Sequence, residues 1–514
     1  MEETASTILA FVRSNINIHA SIHTLPVEVL GIIFQQTLPR HGDGLPFNGY
    51  EDPLLALELR SRVTLTHVCR RWRRVALDMA SFWTVIDEAS SASTSAFLAR
   101  CRELPLQVCI RNLLSRSAGD TLIPYGDRIR DLYLSIPKGC RSTIPSSIPE
   151  FPFDAVNLER LSIVTDARPF DESRPNISLD LSPTLFSKPT PRLKQLVLRS
   201  MCWLPDLSFE SLTHLHINQG TPISLVTILT FLGRCPALET LVLVDIYIAN
   251  ATAVPLDHAV SLPRLRSFVL GINQSHLSMR RLIQYILLPP TVTVRVSGVY
   301  AFRALSELRP FPKLAFTETF DTLSVDHSFG RLVIRAAGPS SGLLLDFNDY
   351  PLSSCEQAIE LIKAIIPFDA IVDLRYRAHV LHARRAVHLL ADLPMPVLKT
   401  FCYVDANDAT AVPDAWADRR AAYMTAISEA LARAPQLSDL RLWSVDSDFA
   451  SQLTMPSCAS LKKLVFHYKG KPDAAPDVEV LRGQVADASL CSCSECEPPL
   501  KIPEVDFVHH RYEW

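Results

Sequence analysis

Length, composition and charge set the first limits on what this chain does. Its 514 residues are 48% hydrophobic and 20% charged, which predicts packed globular structure and excludes disorder over most of the length. The formal net charge of −3 gives no chain-wide basic field, so general affinity for nucleic acid is not expected. A chain this long predicts about three domains, unless repeats merge it into one array.

The start of the chain does not resemble a secretory signal. Glu2 and Glu3 occupy the place of a basic segment, and the apolar run at 8–12 is too short. No window approaches the length of about eighteen uncharged apolar residues that a membrane span needs. Twelve scattered cysteines then predict buried thiols in a reducing compartment. We therefore expect an intracellular protein, cytoplasmic or nuclear, without a membrane partner.

Two short helices are predicted first, one within residues 1–21 and one within 25–34. Pro26 suits the first turn of the second helix, where its missing N–H costs nothing. Glu28 lies near the positive end of that helix dipole. A single apolar stripe then follows, formed by Val29, Leu30, Ile33 and Phe34.

Residues 68–83 predict another helix, which closes on two aromatic residues, Phe82 and Trp83. Its arginines lie largely off the apolar face, which favours a solvated side over a nuclear signal or a nucleic-acid patch. Two such helices cannot bury all their large apolar side chains between themselves, so a partner or a neighbouring domain is expected. The apolar face consists of Val68, Cys69, Trp72, Val75, Ala76 and Met79, and the arginines are Arg70, Arg71, Arg73 and Arg74.

The two halves, Leu-Pro-x-Glu-Val-Leu-x-x-Ile-Phe and Val-Cys-Arg-Arg-Trp-Arg with a later Phe-Trp, resemble the F-box motif over residues 22–86. The polar loop at 41–53 between them resembles the expanded F-box of mushroom-type fungi. This resemblance implies a three-helix module that binds a Skp-family adaptor and, through it, a cullin. The implied adaptor contacts are Leu25, Pro26, Val29, Leu30, Ile33, Phe34, Val68, Cys69, Trp72 and Trp83.

A linker or transition is predicted at 87–125, in which residues 88–95 are either linker or the capped start of a helix that contains Phe97 and Leu98. A short phrase then recurs through residues 126–468. The phrase has apolar residues at its first, fourth and sixth places, and helical stretches lie between many copies. Each phrase predicts a strand, and strand-plus-helix units this short must stack to bury their apolar faces. Ten copies begin at Ile129, Leu158, Leu193, Leu212, Leu238, Leu265, Ile371, Leu398, Leu437 and Leu461.

This phrase resembles the opening of a leucine-rich repeat, in a degenerate form without a consistent Asn at the following turn. We therefore predict an α/β fold, with an N-terminal helical F-box followed by a degenerate leucine-rich-repeat-like solenoid of strand–helix units. A β-hairpin or meander is predicted as an insertion around 320–347, and residues 469–514 are predicted to be a polar tail. The alternative is a set of βα units in one compact α/β domain.

In a leucine-rich horseshoe the side chains between the leucines line the inner surface. The resemblance therefore implies that this inner surface binds a target protein. Its charge is mixed, so it does not indicate which protein the target is. Its weak candidates are Arg160, Lys194, His214, His216, Glu239, Arg266, Arg441 and Lys462.

Two short motifs suggest chemistry without the context that the chemistry needs. Residues 338–342, Gly-Pro-Ser-Ser-Gly, match the nucleophile-elbow formula, but the next residues predict a strand where the elbow needs a helix. A hairpin turn is therefore favoured. Cys491, Cys493 and Cys496 offer three zinc ligands at an uncommon spacing in a polar segment, so free thiols are favoured. We assign no catalytic residue, no cofactor and no metal.

The sequence thus predicts a non-catalytic substrate receptor of a Skp–cullin–F-box ubiquitin ligase. A different class of protein is the main alternative, a repeat scaffold whose F-box-like hairpin only caps the array. A serine hydrolase using Ser340 is the third hypothesis.

Overall fold

The structure is a computed structural model. It describes residues 19–38, 53–87, 91–111, 121–136, 153–165, 190–200, 209–218, 223–246, 259–272, 282–298, 315–328, 331–348, 362–378, 395–405, 434–443, 461–467 and 487–491, together with a few isolated positions.

The chain divides into two compact units. Unit 1 is Met1–Ile223 with Arg234–Pro236, and unit 2 is Ser224–Gly233 with Ala237–Trp514. The α-helices are α1 (Val27–Thr37), α2 (Pro53–Val68), α3 (Arg70–Asp78) and α4 (Ser91–Arg100) in unit 1, and α5 (Leu225–Gly233) in unit 2. None of these described helices has the length and apolar character to cross a membrane.

Unit 1 contains a parallel sheet in which neighbours in the chain are neighbours in space. Its strands are β1 (Val85–Asp87), β2 (Leu106–Ile110), β3 (Ile129–Ile136), β4 (Arg160–Thr165), β5 (Gln195–Arg199) and β6 (His214–Asn218). The leucines of the phrase meet in register, Leu132 beside Leu161, then Leu196, then Leu215. All four are buried, because side chains of one face recur at every second residue.

Unit 2 contains a longer, mostly parallel sheet. Its strands are β8 (Thr240–Val244), β11 (Ser267–Gly271), β13 (Thr293–Ser297), β14 (Thr322–Ser328), β15 (Arg331–Ala337), β16 (Gly342–Asn348), β17 (Asp373–Ala378), β18 (Thr400–Asp405), β19 (Asp439–Trp443), β20 (Lys463–His467) and β21 (Asp487–Cys491). Further strands of two residues each are β9 (Ile248–Ala249), β10 (Val260–Ser261) and β12 (Ile286–Leu287), and β7 (Ile223–Ser224) has one residue in each unit.

Strands β14, β15 and β16 form an antiparallel meander within the parallel sheet of unit 2. The last of them, β16, pairs in parallel with β13, and the first, β14, pairs in parallel with β17. The spatial order is therefore β13–β16–β15–β14–β17. Three strands joined by two reversals restore the original strand direction, so the parallel pairing continues on both sides.

The turn between β15 and β16 occupies the sequence that matches the nucleophile-elbow formula. Gly338 N–H donates to Ser341 O at 3.0 Å, and the buried Ser341 hydroxyl donates to Phe316 O at 2.9 Å. A Cβ on Gly338 would lie 2.2 Å from Thr319 O, so only glycine fits there. A strand follows this turn in place of the helix that an elbow requires.

Several segments differ from the sequence-based expectation. The segment expected as a linker or transition contains β2, because the strand residues Leu106–Ile110 are apolar enough to be buried. It also contains α4, which agrees with the alternative expectation of a helix with Phe97 and Leu98. The segment expected as a polar tail contributes β21, which pairs in parallel with β20 and ends at Cys491. The other two zinc candidates, Cys493 and Cys496, and most of the predicted helix at 1–21 lie outside the described residues.

Candidate functional site

Helix α1 packs through one side against α3 and the following turn at Ala80–Trp83. Leu30 and Phe34 are fully buried, and the Phe34 ring lies 4.9 Å from Trp72 and 6.3 Å from Phe82. A Cβ at Gly31 would lie 3.2 Å from the Met79 sulfur. The absence of a side chain at Gly31 therefore permits close approach of α1 to Met79.

Trp83 belongs to the interior of unit 1. Its indole N–H donates to Ala76 O at 2.8 Å, which satisfies the polar atom of this buried ring. The ring lies 4.8 Å from Phe97 of α4 in an edge-on arrangement, and the Arg100 guanidinium lies 4.8 Å from the ring centre. Trp83 therefore joins the F-box-like helices to α4.

A buried ion pair on α2 fixes that helix to the same turn. Arg62 bonds Glu58 one helical turn earlier and also donates to Phe82 O, and its guanidinium lies 5.4 Å above the Phe82 ring. Both charged side chains are buried, so removing either partner would leave an uncompensated charge. Sequence reasoning missed this pair, although its i, i+4 spacing on a helix is a recognisable signal.

Arg71 departs from the solvated role expected of the arginines in α3. It is half-buried and donates to His23 O and, at 2.5 Å, to Leu25 O. Cys69 caps α3 by accepting from Trp72 N–H at 3.4 Å, and its sulfur lies 3.6 Å from His23 Nε2. These contacts fix the segment before α1 against the start of α3, whereas Arg70 and Arg74 are exposed as expected.

The other side of α1 and parts of α2 expose large apolar side chains. Val27 and Ile32 are more than half exposed, at 51% and 57%, and Val29 is 38% exposed. On α2, Val63 is 42% and Val68 is 52% exposed. Val68 directly precedes Cys69, so it lies near the segment that leads into α1. These exposed apolar side chains on α1 and α2 form a candidate interaction surface.

The predicted adaptor contacts therefore fall into three groups. Pro26, Val29 and Val68 are exposed, whereas Leu30, Phe34 and Trp83 are buried. The prediction of one apolar stripe on α1 was wrong, because that helix is apolar on two sides and only one packs inward. Sequence reasoning missed Val27, Ile32 and Val63. The partly buried remainder consists of Leu25, Ile33, Cys69 and Trp72.

We call the side of each sheet opposite to the phrase leucines the variable face. In unit 1 its central row runs in register along Tyr133, Ser162, Val197 and His216. All four side chains are buried. Near one end of the row, Leu59 of α2 packs on a cluster formed by Val85, Cys109, Tyr133 and Val164. A helix of the F-box-like module thus covers this part of the variable face of unit 1.

Four predicted target contacts lie in unit 1, and their environments differ. His216 is 3% exposed, so the expectation that it contributes to an open binding surface is wrong. Arg160 makes a two-pronged ion pair with the buried Asp131 at 2.6 and 2.5 Å, and this bonding raises the pKa of Arg160. Lys194 is exposed and lies 3.3 Å from Glu159, and His214 Nδ1 lies 2.8 Å from the Thr213 hydroxyl.

The other four predicted contacts lie in unit 2. Glu239 and Arg266 are neighbours at the start of β8 and β11, where Arg266 N–H donates to Glu239 O at 2.8 Å. Arg266 and Lys462 are exposed. Arg441 pairs with Asp439 at 2.7 Å, and this bond raises the pKa of Arg441. The four residues of each unit therefore differ in exposure and in pairing.

The central row of the variable face of unit 2 carries charged side chains, whereas that of unit 1 does not. The row in unit 2, from β13 to β19, is Arg295, Leu344, Arg335, Ser324, Arg375, Cys402 and Arg441. Aspartates in the adjoining rows pair with arginines of the same face. These pairs are Arg331–Asp346 and Arg375–Asp373, each at 2.7 Å, and Arg377–Asp326 at 3.8 Å.

Comparison with known proteins adds one finding. No curated protein matches the chain. The profile of the F-box-like family matches residues 22–88, which are the residues of the helical module that begins before α1 and ends after β1. Residues 22–88 of this chain form an F-box-like domain.

Proposed function

We propose that the chain is the substrate-recognition subunit of a Skp–cullin–F-box ubiquitin ligase. In this proposal the F-box-like domain binds a Skp-family adaptor, the adaptor joins it to a cullin, and the sheets that follow bind a target protein. Catalysis then belongs to the partners. The chain acts by proximity, since holding a target lysine near the conjugating enzyme raises its effective concentration.

The exposed apolar side chains of α1 and α2 carry this proposal. Domains of the F-box-like family generally bind adaptors of the Skp type. Val29, Ile32 and Val68 are the side chains that an adaptor would remove from water, and Leu30, Phe34 and Trp83 position them from beneath. Burying apolar area contributes roughly 25 cal/mol per Å², so a few such residues dominate an interface of this kind.

The in-register leucines support a target-binding array of degenerate leucine-rich repeats. Leu374, Phe401, Leu440 and Leu464 repeat in unit 2 the ladder that Leu161, Leu196 and Leu215 make in unit 1. Stacked units of this kind present an extended surface of variable side chains beside a constant core. Exposed candidates for target contact on this reading are Lys194, Arg266 and Lys462.

Co-expression with the Skp-family adaptor of the host tests the adaptor contact. The variant Val29→Ser with Ile32→Ser removes exposed apolar groups without disturbing the core, so the fold should persist. We expect it to bind the adaptor at least ~30-fold more weakly than the unaltered chain, which is about 2 kcal/mol. The matched control is Val226→Ser, which alters a side chain of similar exposure on α5 and should change nothing.

Two results would contradict the proposal. One is a folded, unaltered chain that does not bind the adaptor. The other is equal binding by the double variant and the control, because the exposed surface would then not be the docking surface.

The packing of Leu59 and Trp83 favours a second candidate function, a repeat scaffold whose F-box-like helices only cap the array. Both connect the F-box-like helices to the rest of unit 1, as a cap on a repeat array would. Deleting residues 1–90 cannot separate the two functions, because either one leaves Tyr133 and Phe97 uncovered. The double variant Val29→Ser, Ile32→Ser separates the two functions, since a cap needs Leu59 and Trp83 but not Val29 and Ile32.

A further inference from the structure

The chain distributes its two cationic residue types unevenly. It contains 40 arginines and 11 lysines, and the first lysine is Lys138. All fourteen residues of these two types within 1–137 are therefore arginine, and this stretch includes the whole F-box-like domain at 22–88. The two side chains share a charge but differ in reactivity, because a lysine amine can lose its proton and become a nucleophile, whereas a guanidinium stays protonated.

Packing explains arginine at some of these fourteen positions. Arg62, Arg71 and Arg111 each bond two acceptor atoms, which suits the forked guanidinium better than a single ammonium group. Arg128 donates to Leu104 O through two of its nitrogens, at 3.2 and 2.9 Å. At such sites the geometry of the bonds alone would select arginine.

Packing does not explain arginine at four other positions, which are Arg60, Arg70, Arg74 and Arg102. All four side chains are exposed, and none of them has a partner within the described residues. Water would solvate an ammonium group equally well at each place, so neither stability nor charge requires a guanidinium there. What arginine changes at these exposed positions is the reactivity of the surface, since it offers a cation without an amine.

The exposed lysines that the structure describes lie at the start of repeat strands. Lys194, Lys399 and Lys462 each occupy the second place of a phrase, and their backbone N–H groups donate to the preceding phrase at 2.8, 2.9 and 3.0 Å, respectively. Lys194 pairs with Glu159 at 3.3 Å. Lys399 and Lys462, both in unit 2, make no ion pair within the described part of the chain, so their amines are open to solvent.

A lysine held near a conjugating enzyme is an acceptor for ubiquitin, whichever chain carries it. The deprotonated amine attacks the carbonyl carbon of the ubiquitin thioester, so that an isopeptide bond forms and the carbon–sulfur bond breaks. The cysteine of the conjugating enzyme leaves as a thiolate and takes up the proton that the amine releases. The proximity that promotes transfer to a target therefore also promotes transfer to the receptor's own lysines.

We propose that the assembled ligase transfers ubiquitin to Lys399 and Lys462 of this chain, and that arginine in place of lysine protects the F-box-like domain from the same modification. A folded protein attached to α2 or α3 would stand beside the exposed apolar side chains of those helices and block the adaptor. Attachment at the start of the strands in unit 2 leaves that surface free. This inference rests on the proposed function and adds to it a site of self-modification.

Mapping of self-modification tests the two acceptor lysines. The full chain, assembled with its adaptor and cullin, is supplied with activating enzyme, conjugating enzyme, ubiquitin and ATP, and mass spectrometry locates the attached ubiquitin. We expect attachment at Lys399 and Lys462, and at least ~5-fold less ubiquitin on the variant Lys399→Arg with Lys462→Arg, which keeps the charge but removes the amines. The matched control changes the half-buried Lys363 and Lys463 to Arg and should change nothing. Equal modification of the double variant and the unaltered chain would overturn the assignment.

Introduced amines test the protection of the F-box-like domain. Arg70→Lys with Arg74→Lys keeps charge and exposure, so the fold and the initial binding of the adaptor should persist. In the same mixture we expect ubiquitin at positions 70 and 74 and at least ~5-fold less chain retained by immobilised adaptor, because the attached protein blocks docking. The control Arg264→Lys adds an exposed amine in unit 2 and should not reduce retention. Full retention of the double variant would overturn the protective role.

Failure of this inference is distinguishable from failure of the proposed function. A chain that does not bind the adaptor before ubiquitin is added contradicts the proposed function. A chain that binds the adaptor but is not modified contradicts only the self-modification. Discharge of the ubiquitin thioester onto free lysine shows that the mixture is active, so a lack of modification in an active mixture overturns the inference.

Discussion

The variable faces of the two units share one backbone pattern and differ in the side chains that they carry. In unit 1 the central row is Tyr133, Ser162, Val197 and His216, all buried, and Leu59 of the F-box-like domain packs near one end. In unit 2 the equivalent row carries four arginines. The leucine ladder behind both faces is the same. A repeat phrase therefore fixes the strands, while the residues between the leucines decide how much charge the opposite face carries.

A charge placed on the covered face tests this comparison most severely. Val197→Asp puts a carboxylate at a position that is 3% exposed, between Ser162 and His216. We expect about 3–5 kcal/mol of destabilisation, because the charge would be buried without an ionic partner. Urea unfolding followed by intrinsic fluorescence measures the effect. Unfolding at the unaltered midpoint would show that this face is open to water.

The same change in unit 2 should cost less, although Ser324 is also fully buried. In Ser324→Asp the carboxylate would lie between Arg335 and Arg375 and gain ionic partners. We expect a smaller loss in the free energy of unfolding than for Val197→Asp, because the buried charge is paired. A loss as large as that of Val197→Asp would remove the distinction between the two faces.

Loss of one aspartate from each face gives the next largest effect. Asp131→Asn removes a buried carboxylate that bonds Arg160 twice, at 2.6 and 2.5 Å, so we expect about 1.5–3 kcal/mol of destabilisation. Asp439→Asn breaks a more exposed pair with Arg441, which water can replace, so less than about 1 kcal/mol is expected. Paired denaturation curves measure both, and a reversed order would contradict the contrast.

The smallest effect concerns reactivity rather than stability. Burial raises the pKa of the Cys402 thiol, on the variable face of unit 2, to about 12. Burial also raises the pKa of the Cys235 thiol to about 12. The thiolate is the reactive form, so at pH 8 about a thousandfold less of it is present than for an ordinary thiol with a pKa near 9. Both cysteines should resist a thiol-specific reagent until the chain unfolds. Rapid labelling of either in the folded protein would contradict this burial.

The strands were predictable from sequence because the phrase combines two signals in six residues. Period-two alternation and a fixed internal spacing select Leu161, Leu196 and Leu215 without knowledge of their neighbours. The cover on the variable face was not predictable, because it depends on α2 reaching residues such as Val85 and Tyr133 from elsewhere in the chain. His216 illustrates the failure, since a polar residue between leucines favours a surface position but here is buried.

The F-box-like domain was predictable as a motif but not as a surface. Leu30 and Val29 look equivalent in sequence, yet one is fully buried and the other is 38% exposed. When a helix is apolar on two sides, its hydrophobic pattern does not show which side packs into the core and which side is left for a partner. The buried pair of Glu58 and Arg62 was missed for the opposite reason, because charged residues on a helix favour a solvated position unless a partner is known.

The meander of unit 2 has a consequence for synthesis of the chain. Strand β13 is complete at Ser297, but its partner β16 begins only at Gly342, after β14 and β15 have been made. At ribosomal rates of about 5–20 residues per second, the emerging edge of β13 waits roughly two to nine seconds for that partner. An open strand edge is a template for pairing with other chains. Slow codons or a chaperone acting on this interval would therefore decide how much of the nascent protein escapes aggregation.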